Sequence, residues 1–234
     1  MRQILYFLRV VLLLGLLPAA AAQTLVISTN NTPLDRKALE LLGQEAFRRA
    51  GLGFSLTINP SERSLQLANQ GQVDGEGLRV PGLSEQYPQL VQVPERFIGI
   101  SFVAFARDAL ITLDQGWDSL RPYRVAHITG WKMFEANAAN ARSVTRVDTP
   151  EQMFRMLDSG RIDLALYTRA DGMALIRSLK LSTIAPVAPA LRDVGMHLYV
   201  HKRHEALVPR IAQALRDMKA DGSYNRILSG LQVE

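Results

Sequence analysis

Runs of β-branched and aromatic residues alternate with stretches of helical periodicity, and this alternation limits the fold more than any other feature of the chain. TLVIST at 24–29 is a short β-rich run. Thr32 and Pro33 follow as a helix cap with proline in the first turn. Leu34, Ala38, Leu41, Leu42, Ala46 and Phe47 then recur at helical spacing until Gly51 stops the helix. FSLTIN at 54–59 reads as a second strand, and a helix capped by Ser61 turns Leu65, Leu67 and Ala68 inward before Gly71. Strand and helix in turn predict parallel βαβ pairing.

The pattern starts again downstream. YRVAHIT at 123–129 reads as a strand, Gly130 introduces a helix expected to run through Asn140, and SVTRVD at 143–148 is a further strand. Thr149 and Pro150 repeat the cap-then-proline start, with Met153, Phe154 and Leu157 facing inward. IDLALYT at 162–168 is a strand followed by a helix through Leu179. FIGISFVAFAR at 97–107 and VGMHLYVHK at 194–202 are extended stretches suited to cross between two α/β lobes and return. A helix over Ala206–Lys219 is expected to pack back on the first lobe.

The N-terminal residues read as an export signal. Arg2 and Arg9 flank the start of VVLLLGLLP at 10–18, and Ala20 and Ala22 fit the small-residue pattern that places cleavage before Gln23. The apolar run is shorter than the roughly 20 residues of a spanning helix. The sequence has no cysteine, which excludes a lipid anchor of the bacterial kind and all thiol chemistry. Removing 22 of the 234 residues leaves 212. The net charge falls from +5 to +3, because two of the 27 basic residues and none of the 22 acidic ones are lost. The basic residues are scattered, which argues against a nucleic-acid partner.

Four ordered segments carry a resemblance: SERSLQLANQGQVDGEGLRV at 61–80, YPQLVQVPERFIGISFVAFAR at 87–107, DTPEQMFRMLDSGRIDLALYT at 148–168 and RIAQALRDMKADGSYNRIL at 210–228. With these the chain resembles the type II periplasmic solute-binding proteins, in particular the short members of extracellular solute-binding family 3. In that family a helix ending in Gly, then a short step to an Asp that opens a strand, occurs once per lobe; here the matches are Gly71 to Asp74 and Gly160 to Asp163. The resemblance implies an α/β fold of two lobes joined by two crossover strands. Residues 23–104 with 195–234 would form lobe 1, and 105–194 lobe 2.

Ligands of open α/β sheets lie beyond the carboxyl ends of the strands. The residues at those positions are Asn30, Asn31, Glu76, Arg79, Thr129, Gly130, Trp131, Tyr167, Thr168 and Arg169. Backbone donors of the helix after Gly130 suit a carboxylate or other anion. Arg79 is either an anion clamp or a surface charge before Pro81. Trp131 stacks on a flat ligand or fills a lobe core, and Tyr167 is either a ligand contact or half-buried structure. Asn30 and Asn31 contact ligand or only shape the turn. A carboxylate at Glu76 disfavours an acidic ligand. The family's amino-acid markers are changed: the expected Arg position reaches Ser84, beside Glu85, and the expected Asp position is Thr168, with Asp171 three residues on.

Competing chemistries have thinner support. His127 with Glu76 is the one acid–base pair on offer, and a lone His in an apolar strand is more often structural, so no enzyme is expected. His197, His201 and His204 match no zinc spacing, and neither metal nor other cofactor is expected. The expected function is capture of a small polar or anionic organic ligand in the periplasm by a monomer, for a membrane permease of the ATP-binding cassette type. The alternative is a sensory accessory protein that reports ligand state to a membrane sensor.

Overall fold

A computed structural model describes residues 22–30 and 32–231. The export segment, apart from Ala22, lies outside the described residues, as does Asn31. Among the described residues no helix is long and apolar enough to cross a membrane.

The first half-sheet forms as the alternation predicts. Strand β1 (Thr24–Thr29) leads through an extended Thr32 into helix α1 (Pro33–Arg49), which has Asp35 in its first turn and Arg48 and Arg49 in its last. These charges complement the helix dipole. The buried stripe of α1 includes Ala38, Leu39, Leu42, Ala46 and Phe47, and Asp35 is buried with it. Strand β2 (Gly53–Ile58) pairs parallel to β1 from Thr24 opposite Gly53 to Thr29 opposite Ile58. Helix α2 (Ser61–Asn69) then leads to β3 (Gly75–Arg79), also parallel to β1. Ser61 is the first residue of α2, and Pro60 occupies the cap position.

The second half-sheet repeats this order with β6 (Arg124–Ile128), α3 (Lys132–Asn137), β7 (Ser143–Val147), α4 (Pro150–Asp158), β8 (Leu164–Thr168) and α5 (Arg169–Leu179). Thr149 caps α4 by accepting the Gln152 N–H at 3.3 Å, whereas the Thr32 hydroxyl donates to Asn30 instead of capping α1. Helix α3 is shorter than its sequence suggests and ends at Asn137, not Asn140. The Asn137 side-chain amide donates to the Met133 carbonyl at 2.7 Å, a local bond that competes with continuation of the helix.

Two long strands join the halves. Strand β5 (Ile98–Ala106) pairs antiparallel with β10 (Arg192–His201) through Ile98–Phe102 and with β8 through Phe102–Phe105. The far end of β10 pairs with β3 and with the short β4 (Leu90–Gln92), while β9 (Ala185–Pro186) adds to β5. The strand order is β2-β1-β3-β10-β5-β8-β6-β7. After β10 a 3-10 turn at Lys202–Leu207 precedes α6 (Val208–Ala220), so the last long helix starts two residues later than expected; a further helix, α7 (Ser223–Ser229), follows it. Both pack on α1, where Arg49 donates to Asp221 at 2.6 Å and to Ser223 at 2.9 Å.

The paired Gly-to-Asp steps have one physical role. Gly71 and Gly160 take the left-handed conformation, with φ of +72° and +70°, that ends each helix cheaply. Asp74 then donates its N–H to the Val26 carbonyl and accepts the Val26 N–H on Oδ2, both at 2.8 Å. Asp163 makes the same exchange with Arg124, again at 2.8 Å. Each aspartate therefore closes the start of a parallel ladder with both its backbone and its side chain.

The Arg124 guanidinium bonded to Asp163 holds that carboxyl below the usual carboxylate range. Its stabilisation is present above the unfolded value near pH 4 and is lost as pH falls through the lower folded value. Asp163→Ala should therefore cost about 1–2 kcal/mol at neutral pH in urea unfolding, a charged hydrogen bond discounted for its partial exposure. The cost should shrink toward zero in acid; a cost independent of pH would contradict the assignment.

Candidate functional site

The carboxyl end of β3 is bent to bring two charges together. Residues three apart on a regular strand point to opposite faces. Leu78, at φ +58°, lies in the left-handed region that side chains avoid, and this reverses the alternation. Arg79 Nε can then donate to Glu76 Oε1 at 2.7 Å, while Nη1 and Nη2 donate to the Ser61 hydroxyl and carbonyl at 2.7 and 3.0 Å. Glu76 is wholly buried and accepts the Ser64 hydroxyl at 2.6 Å on its other oxygen. Burial raises its carboxyl, against the pull of Arg79 and Ser64. Arg79 is only 6% exposed, so it is a paired group at the base of the cleft and not a surface charge.

The opposing wall comes from the turn between β6 and α3. Gly130, at φ +81°, packs so closely on lobe 1 that an added Cβ would lie 2.5 Å from the Glu62 nitrogen. Its carbonyl accepts the Ser61 hydroxyl at 3.2 Å. The Gly130 N–H, expected as an anion donor, is already given to Glu135 Oε1 at 2.8 Å, and the Trp131 N–H to the Ile128 carbonyl. Lys132 bridges Glu62 of lobe 1 at 2.8 Å and Glu135 at 3.0 Å, and lies 5.8 Å from the Tyr87 ring centre. Partial burial would lower its pKa, but Glu62 and Glu135 outweigh this and raise it.

A third contact joins the first turns of two helices. Asp171, in α5, accepts the Leu34 N–H of α1 at 2.9 Å and the Thr168 hydroxyl at 3.3 Å, so a carboxyl of lobe 2 caps a helix of lobe 1. Asp35 lies beside it and hydrogen-bonds to it. The two are 6% and 3% exposed. Burial, then the charge of Asp171, pushes the Asp35 carboxyl well up; Asp171 is raised by burial but held back by the Leu34 N–H and by Asp35. Asp35 is therefore the carboxyl of the pair that takes up a proton first, and Asp171 the one that holds its charge longer. Burial and then these two acids also push up the phenol of Tyr167.

Between the contacts lies a cleft, partly open to solvent, bordered by Asn30, Asp35, Arg79, Trp131 and Thr168. Trp131 borders the cleft while stacking on Tyr167 at 5.0 Å and on Phe134 at 5.8 Å. Tyr167 is fully buried, beside a second pocket that Asn30 and Trp131 share. Thr129 is tied to the Val147 carbonyl, and Arg169 opens α5 half-buried, neither on the wall of the main cleft. His127 lies in β6 with Nδ1 at 3.0 Å from the Ile128 carbonyl, while Glu76 is committed to Ser64 and Arg79. His197 contacts the Val93 carbonyl and His204 contacts Asp74. Sequence reasoning missed Asp35, Ser61 and Lys132; an acid one turn before Ala38 and Leu39 on the buried stripe of α1 was the available signal.

No protein-family model matches the chain. An uncharacterized protein of Shewanella oneidensis is 26% identical over 197 residues, which cover 81% of this chain and 74% of that protein. Among solved structures, a histidine kinase sensor domain with similarity to periplasmic binding proteins superposes with a TM-score of 0.77 at 20% identity, covering 90% of this chain and 96% of that one. An ancestral arginine-binding protein bound to glutamine gives 0.72 at 17% identity, covering 90% and 98%. The substrate-binding protein of an amino acid ABC transporter gives 0.73 at 14% identity, covering 90% and 100%. At these identities the likeness establishes the fold: the chain has the two-lobe, type II architecture of periplasmic binding proteins, with β5 and β10 as its two crossover strands.

The Asp35–Asp171 pair predicts how stability depends on pH. A carboxyl whose folded pKa is raised stabilises fully below its unfolded value near 4, and that contribution fades as pH rises through the folded value. Each pH unit between the two values is worth about 1.4 kcal/mol. Asp35→Asn, which keeps a donor toward Asp171 without an ionisable proton, should flatten the decline and raise stability above wild type at pH 8. Chemical denaturation at pH 5 and pH 8 measures this, and parallel curves for the two proteins would refute the shared proton.

Proposed function

We propose that the chain is an exported solute-binding protein that holds a small organic molecule between its lobes and presents the closed form to a membrane permease of the ATP-binding cassette type. The supporting observation is the set of three cross-lobe contacts around one cleft: Ser61 with Gly130, Glu62 with Lys132, and Leu34 with Asp171. In a hinge-closing protein such contacts form as the lobes meet. Lobe 1 is residues 23–104 with 195–234 and lobe 2 is 105–194, boundaries that fall within or beside β5 and β10. Removal of residues 1–22 would release a periplasmic monomer. Asn30, Arg79, Trp131 and Thr168 face the ligand in this reading, with Glu76, Thr129, Gly130, Tyr167 and Arg169 around them.

The likeness to a histidine kinase sensor domain supports a second reading, in which the same closure reports ligand state to a membrane sensor and nothing is transported. Permease and ATPase genes next to this one would favour uptake, and an adjacent sensor gene would favour signalling. Both readings are non-enzymatic.

Closure is testable at Gly130. Gly130→Ala places a Cβ against the Glu62 backbone and adds about 1–2 kcal/mol of left-handed strain. Lys132→Ala removes a cross-lobe ion pair without that strain. Both variants should show a larger radius of gyration than wild type in solution scattering. Unchanged scattering from both would count against a two-lobe clamp.

A further inference from the structure

We propose that the cleft takes an uncharged, mainly apolar molecule in preference to an amino acid or other charged solute. This rests on the cleft-binding reading above and narrows it. Each ionic group at the cleft already has its counterpart in the chain. The three guanidinium nitrogens of Arg79 are given to Glu76 and Ser61. Lys132 lies between Glu62 and Glu135, and the Asp171 charge is met by the Leu34 N–H, the Thr168 hydroxyl and the Asp35 carboxyl. Two donors of the turn before α3 are engaged as well, Gly130 with Glu135 and Trp131 with Ile128. Among the described residues no buried side-chain nitrogen or oxygen lacks a partner.

A ligand carboxylate that drew Arg79 away from Glu76 would leave the wholly buried Glu76 uncompensated. A ligand ammonium at Asp171 would have to compete with the Leu34 N–H and the Thr168 hydroxyl already donated to it. Such exchanges replace one charged bond by another and gain little, whereas covering the apolar wall gains in proportion to area. That wall is formed by Leu78, Leu83, Ile100, Phe102, Met133 and Met196, with the Trp131 ring beside Phe102 at 6.3 Å. Its two methionines adapt to ligands of differing shape. Asn30 adds a neutral amide whose oxygen takes the Thr32 hydroxyl, leaving its NH2 as a donor suited to a hydroxyl or carbonyl oxygen.

Two matched series test the role of charge: indole, tryptamine and L-tryptophan, and 4-methylphenol, tyramine and L-tyrosine, with L-arginine alongside. Each is titrated into the purified protein with Tm as the readout, since a ligand that binds the native state raises Tm by mass action. Indole or 4-methylphenol should raise Tm, its amine should bind at least about tenfold more weakly, and the amino acids should leave Tm unchanged. Met133→Lys, a half-buried wall position, should abolish the response. A larger shift with any amino acid than with its uncharged ring, or no shift with either ring, overturns the ligand class. An amino-acid shift that Met133→Lys abolishes would do so while leaving the cleft-binding reading intact. A ring-compound shift that survives Met133→Lys would overturn both.

Discussion

The antiparallel ladder between β5 and β10 determines where every other part of the molecule can sit. Phe102 is the point of exchange on β5, pairing with Arg192 of β10 on one side and with Thr168 of β8 on the other. On β10 the exchange falls between Met196, opposite Ile98, and His197, opposite Arg79. Two continuous strands thus belong to both half-sheets, and the loops that follow β1, β3, β6 and β8 are brought to a common mouth. Ser61, Gly130 and Asp171 come from distant parts of the sequence and meet only because this ladder fixes the geometry.

Given that meeting, the electrostatic problem at the mouth is one of desolvation. Charges drawn into a lobe junction lose water, and each needs a partner of its own. The chain meets this with three short side-chain networks, Glu76–Arg79–Ser61, Glu62–Lys132–Glu135 and Asp35–Asp171 with the α1 N-terminus, the first two joined through the Gly130 backbone. Because these charges are engaged within the chain, the space between them is mostly bounded by carbon. The same residue types that suggest an anion site in the sequence produce an apolar cleft once their partners are seen.

The parts of the fold that were legible in the sequence follow local rules. The β1 run TLVIST matches its strand residue for residue, Thr149 caps as expected, and the steps from Gly71 to Asp74 and from Gly160 to Asp163 announce real ladder closures. What was illegible depends on distance along the chain. Asp35 is an ordinary first-turn acid until Asp171, from 136 positions later, is placed on top of it. Arg79 and Glu76 look like independent charges until the Leu78 bend joins them. The early end of α3 follows from one side-chain bond at Asn137 that periodicity does not register.

Two non-glycine residues among those described adopt positive φ, Lys180 and Leu78. Lys180 ends α5, a common place for that conformation. Leu78 has no such excuse: it stands in a strand, where glycine would relieve the backbone but would remove a hydrocarbon wall from the cleft. The chain therefore carries local backbone strain at a buried position that borders the cleft. Such strain persists only where the surroundings over-determine it, and here the packed Leu78 side chain and the Glu76–Arg79–Ser61 bonds on either side of it do so.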